Sequence, residues 1–508
     1  MLRPPTPGWW LPVTDAAVCA LASVTVLGVW SASRWWAAVA LTAPVVFVLR
    51  RLGVPLRRDL LVAAVVLVAL GGMLSARSWA AAQPRTLGSF QGWATLVTDP
   101  SPAGAGVRVV LDVDGQRFAA TVFGSGRRRL QARQAGERVE VVGERSLARG
   151  PWARRAQVRH VVGDIAIERV GAWTEGTPLD TASNRLRGAL RTSAESTMAA
   201  DQATLFTGLV IGDDTRQPDA MVDDFRSAGL SHLTAVSGQN VAFVLAVVGL
   251  GLRSLPRWPR LGATCAVVGW FVVLTRVEPS VLRAGTMAAL SATAFAMGRE
   301  RTATRTLALA TIVLLLVDPL LVWSVGFWLS VGATFGVSAI APVVEPRLRG
   351  PAWLTAPLAV TIGAQIGVFV PCWLVFHRMP VVGVGANLLA VPVAGFVMLY
   401  GIPAGLVAAM TPAAVDRLVM WPAAAGTRWV STVATLAARL EPSGHVASIC
   451  WLVQVALLIA LVLHHPARPS EVERPRRTMA SDGRAPDLRR RRIARPDRRQ
   501  RIGPPSGR

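Results

Sequence analysis

The segment that decides the fold is "GLSHLTAVSGQNVAFVLAVVGLGL", residues 229–252. It ends in a continuous apolar run, while its first half carries His232, Ser237, Gln239 and Asn240. A helix needs about 20 apolar residues to cross roughly 30 Å of hydrocarbon, so the segment predicts a membrane span. Polar side chains within spans usually face the protein interior or a water-filled path. The segment therefore predicts a span with a polar, inward-facing beginning.

The composition extends this prediction to the whole chain. Of 508 residues, 52% are hydrophobic and 17% are charged, which is typical of a multi-span membrane protein. Residues 414–437 form either one more span or an interfacial amphipathic helix. The sequence thus predicts a polytopic α-helical membrane protein with about 11–12 spans. The other candidate spans are 11–30, 35–49, 59–80, 231–252, 261–275, 280–297, 306–322, 324–342, 354–375, 386–410 and 446–463.

Arginine placement predicts the orientation. The net charge is +24 and the chain contains no lysine, so only the positions of the arginines carry information. The loop "RRLGVPLRR" at 50–58 is predicted to be cytoplasmic by the positive-inside rule. The residues after the third span then emerge on the outer face. We expect a multi-pass membrane protein with this orientation.

A change of periodicity marks an inserted domain. The stretch "VRVVLDVDGQRFAATVF" at 107–123 alternates apolar and polar residues around an Asp114–Gly115 turn. About five short strands within 86–172 are typical of a small extracytoplasmic β-barrel (OB-like), a fold whose open face often binds oligonucleotides or sugars. A structural domain that binds nothing is the alternative. The basic stretch "GRRRLQARQ" contains Arg127, Arg128, Arg129 and Arg133.

These patterns divide the chain into five segments. The tail is rich in arginine and proline and cannot build a core, so we expect it to be disordered and cytoplasmic. The predicted segments are a three-span anchor at 1–85, the β-domain at 86–172, an amphipathic connector at 173–228, a membrane domain at 229–465 and the tail at 466–508.

The polar residues within the predicted spans admit several chemical interpretations. As a set they favour a polar pathway, although small and polar residues also hold helices together. A hydrolase would need His232 beside Ser237, but a spacing of five places them on different faces of a helix. A metal site from His232, Asp213 and Asp214 matches no ligand spacing, and no Walker loop, HExxH or CxxC motif is present. We therefore expect no catalytic residue, metal or cofactor.

Four blocks of the chain stand out by their order and sequence. They are "GLVIGDDTRQPDAMVDDFRSAGLSHLTAVSGQNV" (208–241), "PSVLRAGTMA" (279–288), "DPLLVWSVGFWLSVGATFG" (318–336) and "AQIGVFVPCWLVFHRMPVVGVGANLLAVPV" (364–393). These blocks resemble the ComEC family, the inner-membrane channel proteins of bacterial DNA uptake. The anchor and β-domain also resemble that family, so the resemblance covers roughly 1–465. It implies a multi-pass protein of the inner (plasma) membrane.

The resemblance implies passage of single-stranded DNA through a polar path, without enzymatic activity in this chain. Asn240 stands where many relatives have histidine, and Trp328 where many have glutamine. His464 and His465 lead into the arginine-rich tail, with no metallo-β-lactamase-like domain, so we expect a separate nuclease. The family-motif or channel-lining residues are Asp213, Asp214, His232, Ser237, Gly238, Asn240, Arg283, Ser330, Gln365 and Asn387.

The resemblance also implies roles and partners. Arg283 is expected to contact phosphate, and Asp213 with Asp214 to fix the segment before the first channel span. The arginines of "GRRRLQARQ" would collect DNA on the outer face. Expected partners are single-stranded DNA, membrane lipid and other competence proteins, including the nuclease and a cytoplasmic helicase or strand-binding protein. An intramembrane hydrolase and a small-solute transporter using the same polar residues are the alternatives.

Overall fold

The computed structural model describes residues 14–31, 58–150, 152–234, 238–276, 279–298, 302–377 and 380–464. The predicted span at 35–49, Ser237 and the tail at 466–508 lie outside the described residues. Within the described part, four helices are long and apolar enough to cross a membrane. They are Arg58–Ala81, Val325–Arg347, Ala352–Phe376 and Gly383–Ala408.

Most of the described chain is helical, and the predicted apolar runs in it form helices. Two short 3₁₀ turns, Pro319–Trp323 and Glu345–Arg347, and one π-turn, Gly336–Ile340, interrupt the α-helices. The helices are α1 Asp15–Trp30, α2 Arg58–Ala81, α3 Gly124–Gln131, α4 Ala153–Val158, α5 Pro178–Thr197, α6 Ala200–Ile211, α7 Asp219–Ser227, α8 Ser231–Thr234, α9 Gly238–Leu252, α10 Arg257–Leu274, α11 Pro279–Ala296, α12 Ala303–Val317, α13 Val325–Phe335, α14 Ala341–Val344, α15 Ala352–Phe376, α16 Gly383–Ala408, α17 Ala413–Leu440 and α18 Gly444–His464.

The predicted β-region forms a six-stranded mixed sheet. The sheet order is β1-β5-β6-β4-β3-β2, β1 also pairs with β3, and β4 with β6 is the parallel pair. The alternation predicted around 107–113 is confirmed, because Val107, Val109, Leu111 and Val113 are each at most 1% exposed. The strands are β1 Gly88–Leu96, β2 Ser101–Ala103, β3 Gly106–Val113, β4 Gln116–Val122, β5 Arg138–Leu147 and β6 Val161–Thr174.

Local sequence chemistry sets the ends of several elements. Asp114 and Gly115 both have positive φ and link β3 to β4, which confirms the predicted turn. At the start of α5, Thr177 and Asp180 form a capping box, and Pro178 occupies the first helical position. These side chains satisfy backbone N–H groups that the first turn of a helix leaves without partners.

The last two turns of helix α6 are buried on all sides, unlike its amphipathic neighbours. Its residues Leu205–Ile211 are all buried, and they pack with α16 and α17 in the largest hydrophobic cluster of the described residues. The segment interpreted as a connector therefore supplies a core helix. Its apolar sequence "LFTGLVI" is too short to cross a bilayer. A search for spans by length therefore does not identify this helix.

The predicted spans at 231–252 and 306–322 do not form single continuous α-helices. The run at 231–252 is divided into α8 and α9, with 235–237 between them outside the described residues. The run at 306–322 ends its α-helix at Val317, because Asp318 accepts a hydrogen bond from the Leu320 N–H and caps the following 3₁₀ turn. Pro319 cannot continue the helix, since it lacks an N–H donor.

Glycines allow α13 and α15 to approach closely. Gly332 and Gly336 on one side face Gly363 and Gly367 on the other, in the small-xxx-small spacing typical of membrane helix pairs. A Cβ at Gly336 would overlap the carbonyl oxygen of Gly363, and one at Gly363 would lie 2.6 Å from the oxygen of Gly336. The two backbones are thus in direct contact.

Candidate functional site

Two glycine turns position the first family block. Gly212 ends α6 with φ +68°, and Gly229 precedes α8 with φ +73°, both in the left-handed region that glycine favours. Gly229 also packs against the turn before α16, because a Cβ there would lie 3.2 Å from Pro380 and 3.5 Å from Gly383. The first and last family blocks therefore meet at this point.

Asp213 lies in a buried cluster of charges. Its carboxylate accepts hydrogen bonds from Arg191 and from the Thr215 hydroxyl, the latter at 2.6 Å, and its Oδ2 lies 3.8 Å from Arg187 Nη2. Burial acts to raise the pKa of Asp213, but Arg187 and Arg191 outweigh it and hold the pKa below its ordinary value. Asp213 is therefore a charged anchor of the segment that precedes α8 and α9.

Arg187 and Arg276 extend this cluster to the β-domain. The Arg187 guanidinium, 3% exposed, donates to the carbonyl oxygens of Ile211 and Leu274 and to Asp99 Oδ2. Arg276, after α10, donates to both carboxylate oxygens of Asp99, at 2.9 and 3.2 Å. Burial lowers the pKa of Arg187, while Asp99 and Asp213 act to raise it. One connected network thus joins the loop after β1, α5, the end of α6 and the end of α10.

A second group of family residues lines a cavity of about 270 Å³ between α9, α11, α12 and α13. Gly238, Arg283 and Ser330 come from three different blocks and all line it, together with Thr311 and Thr334. Most of the remaining lining is aliphatic. The cavity therefore combines an apolar wall with one guanidinium and several hydroxyl groups.

Arg283 is held in place at the cavity. Its Nη2 donates to the Gly326 carbonyl oxygen at 3.0 Å, and its Cζ lies 5.7 Å from the centre of the Phe327 ring. The residue is 5% exposed. Gly238 allows α9 to approach α11 at this level, since a Cβ there would lie 3.1 Å from the Ala284 Cβ.

Gln365 belongs to a third group, around the turn before α16. Its Nε2 donates to the Pro380 carbonyl oxygen at 3.4 Å, and Gln454 Nε2 donates to the Val381 oxygen at 2.9 Å. The carboxylate of Glu441 accepts from the N–H groups of Val381 and Val382 at 3.0 to 3.1 Å. Side chains from α15, α18 and the residue after α17 thus fix this turn by hydrogen bonds.

The other predicted site residues are distributed around these groups. Asn240 is buried near the start of α9, while Asp214 and His232 are exposed. Asn387 lies one turn into α16, and its Oδ1 is buried without a hydrogen-bond partner within the described part of the chain. No group of three or more metal-ligating side chains occurs among the described residues.

The basic stretch of the β-domain is partly occupied by internal contacts. Arg127 donates to the Ala105 carbonyl oxygen and Arg129 to that of Val170. Arg133 stacks at 3.8 Å on Trp173 and pairs with Glu137 at 3.6 Å. Arg128 and Arg129 are exposed on the domain surface.

Sequence reasoning identified Asp213 but missed its partners. Arg187 and Arg191 stand at i and i+4 of α5, a spacing that places both on one helix face. That spacing is the sequence signal that could have identified the two arginines as partners of Asp213. The same spacing is equally typical of a solvent-exposed helix face. Asp99 and Arg276 carry no such signal, because their contacts join residues 88 to 177 positions apart.

A bundle of apolar helices with buried arginine and hydroxyl side chains defines a membrane protein with a polar internal site. The family model described as "Competence protein" matches residues 209–467, just over half of the chain. The chain therefore belongs to the competence protein family, and the resemblance to the ComEC family is confirmed. The cavity, Asp213 and the turn before α16 all lie within the matched region.

Two curated relatives match a similar part of the chain. ComE operon protein 3 of Bacillus subtilis (strain 168) is 29% identical over 242 residues, covering 46% of this chain and 30% of the relative. Uncharacterized protein YcaI of Escherichia coli (strain K12) is 28% identical over 234 residues, covering 42% and 30%. The match thus spans less than a third of the length of each relative. No solved structure matches the chain significantly.

Proposed function

We propose that this chain is an inner-membrane channel for uptake of single-stranded DNA during natural transformation. The observation that carries the proposal is the convergence of Gly238, Arg283 and Ser330 on one cavity inside the helix bundle. These residues come from three of the sequence blocks that resemble the ComEC family, and all three lie within the region that the competence protein family model matches. Similarity to ComE operon protein 3 of Bacillus subtilis supports the coarser part of this proposal, a role in competence.

The chemistry of the cavity suits a single nucleic-acid strand. Phosphates require cationic and hydrogen-bonding groups, which Arg283, Ser330 and Thr311 supply. The faces of bases are apolar, so they can lie against the aliphatic wall. We propose that Arg283 contacts phosphate while Ser330 and Asn240 hydrogen-bond along the strand, with Ser237, His232, Gln365 and Asn387 along the same route.

The β-domain is proposed to be an OB-like extracytoplasmic domain that collects DNA. The pairing of β1 with both β5 and β3 supports a closed ring of strands, and α3 lies between β4 and β5. Arg128 and Arg129 are exposed on α3 and offer a cationic surface to phosphates. The alternative is a small structural domain that binds no ligand. A DNA-binding assay on the chain would distinguish the two possibilities.

The proposed transport needs partners outside this chain. We propose a separate nuclease that supplies the single strand and a cytoplasmic helicase or strand-binding protein that receives it. The chain itself is proposed to act without catalysis and without a cofactor. The basic loop at 50–58 and the arginine-rich tail at 466–508 support a cytoplasmic location for both segments.

Deletion of the gene in a transformable strain tests the proposal. We expect labelled DNA to bind the cell surface as before, while nuclease-resistant label and transformants are lost and are restored by the intact gene. Unchanged transformation in the deletion strain would contradict the proposed function. If the deletion strain instead retained DNA uptake and lost uptake of a small polar solute, the result would favour a transporter.

A further inference from the structure

A second basic surface of the β-domain lies on α4 and its flanks. The segment 149–160, "RGPWARRAQVRH", carries four arginines and no acidic residue. Arg154, Arg155 and Arg159 are exposed, and Trp152 is 41% exposed. This surface, named here the α4 surface, is distinct from the arginines of α3.

The α4 surface contacts the ends of apolar helices. The Arg154 Cζ lies 4.9 Å from the centre of the Trp323 ring and 5.6 Å from that of Trp79. Trp323 in turn lies 6.1 Å from both Trp30 and Trp79, measured between ring centres. Trp30 ends α1, Trp79 is in the last turn of α2, and Trp323 ends the 3₁₀ turn after α12. Arg154 of α4 therefore lies beside a tryptophan cluster that gathers three helix ends.

These tryptophans indicate the level of the membrane surface. Tryptophan is enriched where membrane helices pass from hydrocarbon to headgroups, because its ring is apolar and its N–H is polar. The helix α2 is apolar enough to span the hydrocarbon, and Trp79 lies at the end from which the chain enters the β-domain. Arg77 on the same end of α2 is also exposed. We therefore expect the exposed arginines near this level to face the headgroup layer, namely Arg77, Arg149, Arg154, Arg155 and Arg159.

We infer that the α4 surface binds anionic phospholipid headgroups. The inference rests on the proposed membrane insertion and not on DNA transport. The guanidinium group binds phosphate with paired donors, and arginines near a membrane surface are attracted to anionic lipid. The acid beside α4, Asp318, is engaged by His160 at 2.9 Å and leaves the arginines available. The bound lipid holds the β-domain against the helix ends.

Position favours lipid over nucleic acid as the occupant. Both ligands present phosphate, and arginine alone does not separate them. The α4 surface, however, is joined by Arg154 to the tryptophan cluster at the helix ends. Trp152, exposed on the same surface, suits insertion among headgroups. Binding of an oligonucleotide is therefore the competing outcome of the test.

Hydrogen exchange on the full chain in nanodiscs tests the inference locally. The exchange rate of peptides covering 147–162 is compared between discs of phosphatidylcholine and discs with equal parts of phosphatidylcholine and phosphatidylglycerol. We expect exchange to slow by about three- to tenfold in the anionic discs. The double variant Arg155→Gln/Arg159→Gln is expected to lose this slowing. Arg154 is left unchanged in it, so the tryptophan contacts remain.

Two further variants keep the test decisive. Arg108→Gln/Arg169→Gln removes the same charge from exposed positions elsewhere on the domain and must retain the slowing. Arg155→Lys/Arg159→Lys retains the charge and must also retain it, at least in part. Exchange in β5 reports whether each variant is folded.

Several outcomes would overturn the inference. Equal exchange in the two kinds of disc, equal loss in the control pair, or slowing by an oligonucleotide in place of anionic lipid would each exclude a lipid site on the α4 surface. Failure of the chain to enter discs would exclude the membrane insertion on which the site rests. None of these results depends on transformation, so the DNA-uptake proposal is tested separately.

Discussion

Arg276 and Asp99 form a two-pronged ion pair across 177 residues of sequence, with Nη2 2.9 Å from Oδ1 and Nε 3.2 Å from Oδ2. Arg276 has φ +60°, a region uncommon for residues other than glycine. The pair joins the loop after β1 to the end of α10. The β-domain is therefore attached to the helices by buried side chains as well as by the chain itself.

The same network reaches the first family block. Arg187 bridges Asp99 and Asp213, so the β-domain and the segment before α9 share one charge cluster. A displacement of the β-domain would disturb charges that are largely shielded from water, and such a disturbance is costly. This arrangement supports a mechanical link between the domain proposed to collect DNA and the helices proposed to transport it.

A double-mutant cycle on Asp99 and Arg276 is expected to show coupling. Asp99→Asn and Arg276→Gln should each lower the free energy of unfolding. The decrease in the double variant should be smaller than the sum of the two single decreases. The expected coupling is about 1–3 kcal/mol, because the two side chains share a part-buried contact. Thermal unfolding of the purified chain in one detergent provides the measurement. Strictly additive losses would show that the pair is energetically independent.

Removal of the Asp213 charge is expected to destabilise the chain strongly. Asp213→Asn removes the counter-ion of Arg191 and one of the two carboxylates that face the buried Arg187, at a cost of about 3–5 kcal/mol. The matched control is Asp223→Asn, whose ion pair with Arg226 is about 70% exposed on both sides. That control should cost less than about 1 kcal/mol. Similar losses in the two variants would contradict a structural role for the buried network.

The depressed pKa of Asp213 predicts the pH dependence of this stabilisation. The unfolded chain binds the proton first, since its carboxyl has an ordinary pKa of about 4. The stabilisation is therefore fully present above about pH 4 and is lost as pH falls through the lower pKa of the folded state. The difference in unfolding temperature between the natural chain and Asp213→Asn should narrow over that acidic range. If the difference in unfolding temperature widened on acidification, the pKa of Asp213 would be raised on folding and not lowered.

The helices were predictable because apolar length is a local property. The runs at 354–375 and 386–410 correspond within three residues to α15 and α16. The end of α12 was not placed correctly, because the capping of the next turn by Asp318 overrides the apolar character of the residues that follow. Local hydrogen bonds therefore decide where a helix ends, while hydropathy alone predicts a helix that is too long.

The candidate site was predictable only in part, since its residues come together through tertiary structure. Family blocks pointed to Asp213, Arg283 and Ser330, and the latter two share a cavity. Arg187 is a partner of Asp213, but the sequence alone indicates only that it lies on a polar helix face. Its burial follows from packing of α5 beneath the β-domain loop that carries Asp99, a contact that no local pattern encodes.

Substitution at the contact between α13 and α15 should separate two helices. Gly336→Ala places a methyl group on the carbonyl of Gly363, so the helices must move apart or lose the contact. We expect a loss of about 1–3 kcal/mol. Gly269→Ala is the control, because a Cβ there meets nothing within 4 Å. Thermal unfolding of both variants in the same detergent gives the comparison, and equal stability would show that the contact tolerates a methyl group.

Arg283 provides the most direct test of the cavity as part of a DNA path. Arg283→Gln keeps a hydrogen-bond donor near the Gly326 carbonyl but removes the positive charge. Loss of one charged contact to phosphate should lower nuclease-resistant DNA uptake by about ten- to a hundredfold. Arg283→Lys should retain part of the uptake, because lysine keeps the charge without the paired donors of arginine.

The assay for Arg283 uses labelled DNA in the deletion strain that carries each variant, with membrane levels compared by immunoblot. Arg253→Gln is the matched control, because it removes the same charge from an exposed residue just after α9. Uptake should then be reduced only where the charge beside the cavity is missing. Normal uptake in Arg283→Gln at a normal membrane level would exclude the guanidinium as a required phosphate contact, and a loss shared with Arg253→Gln would assign the effect to net charge.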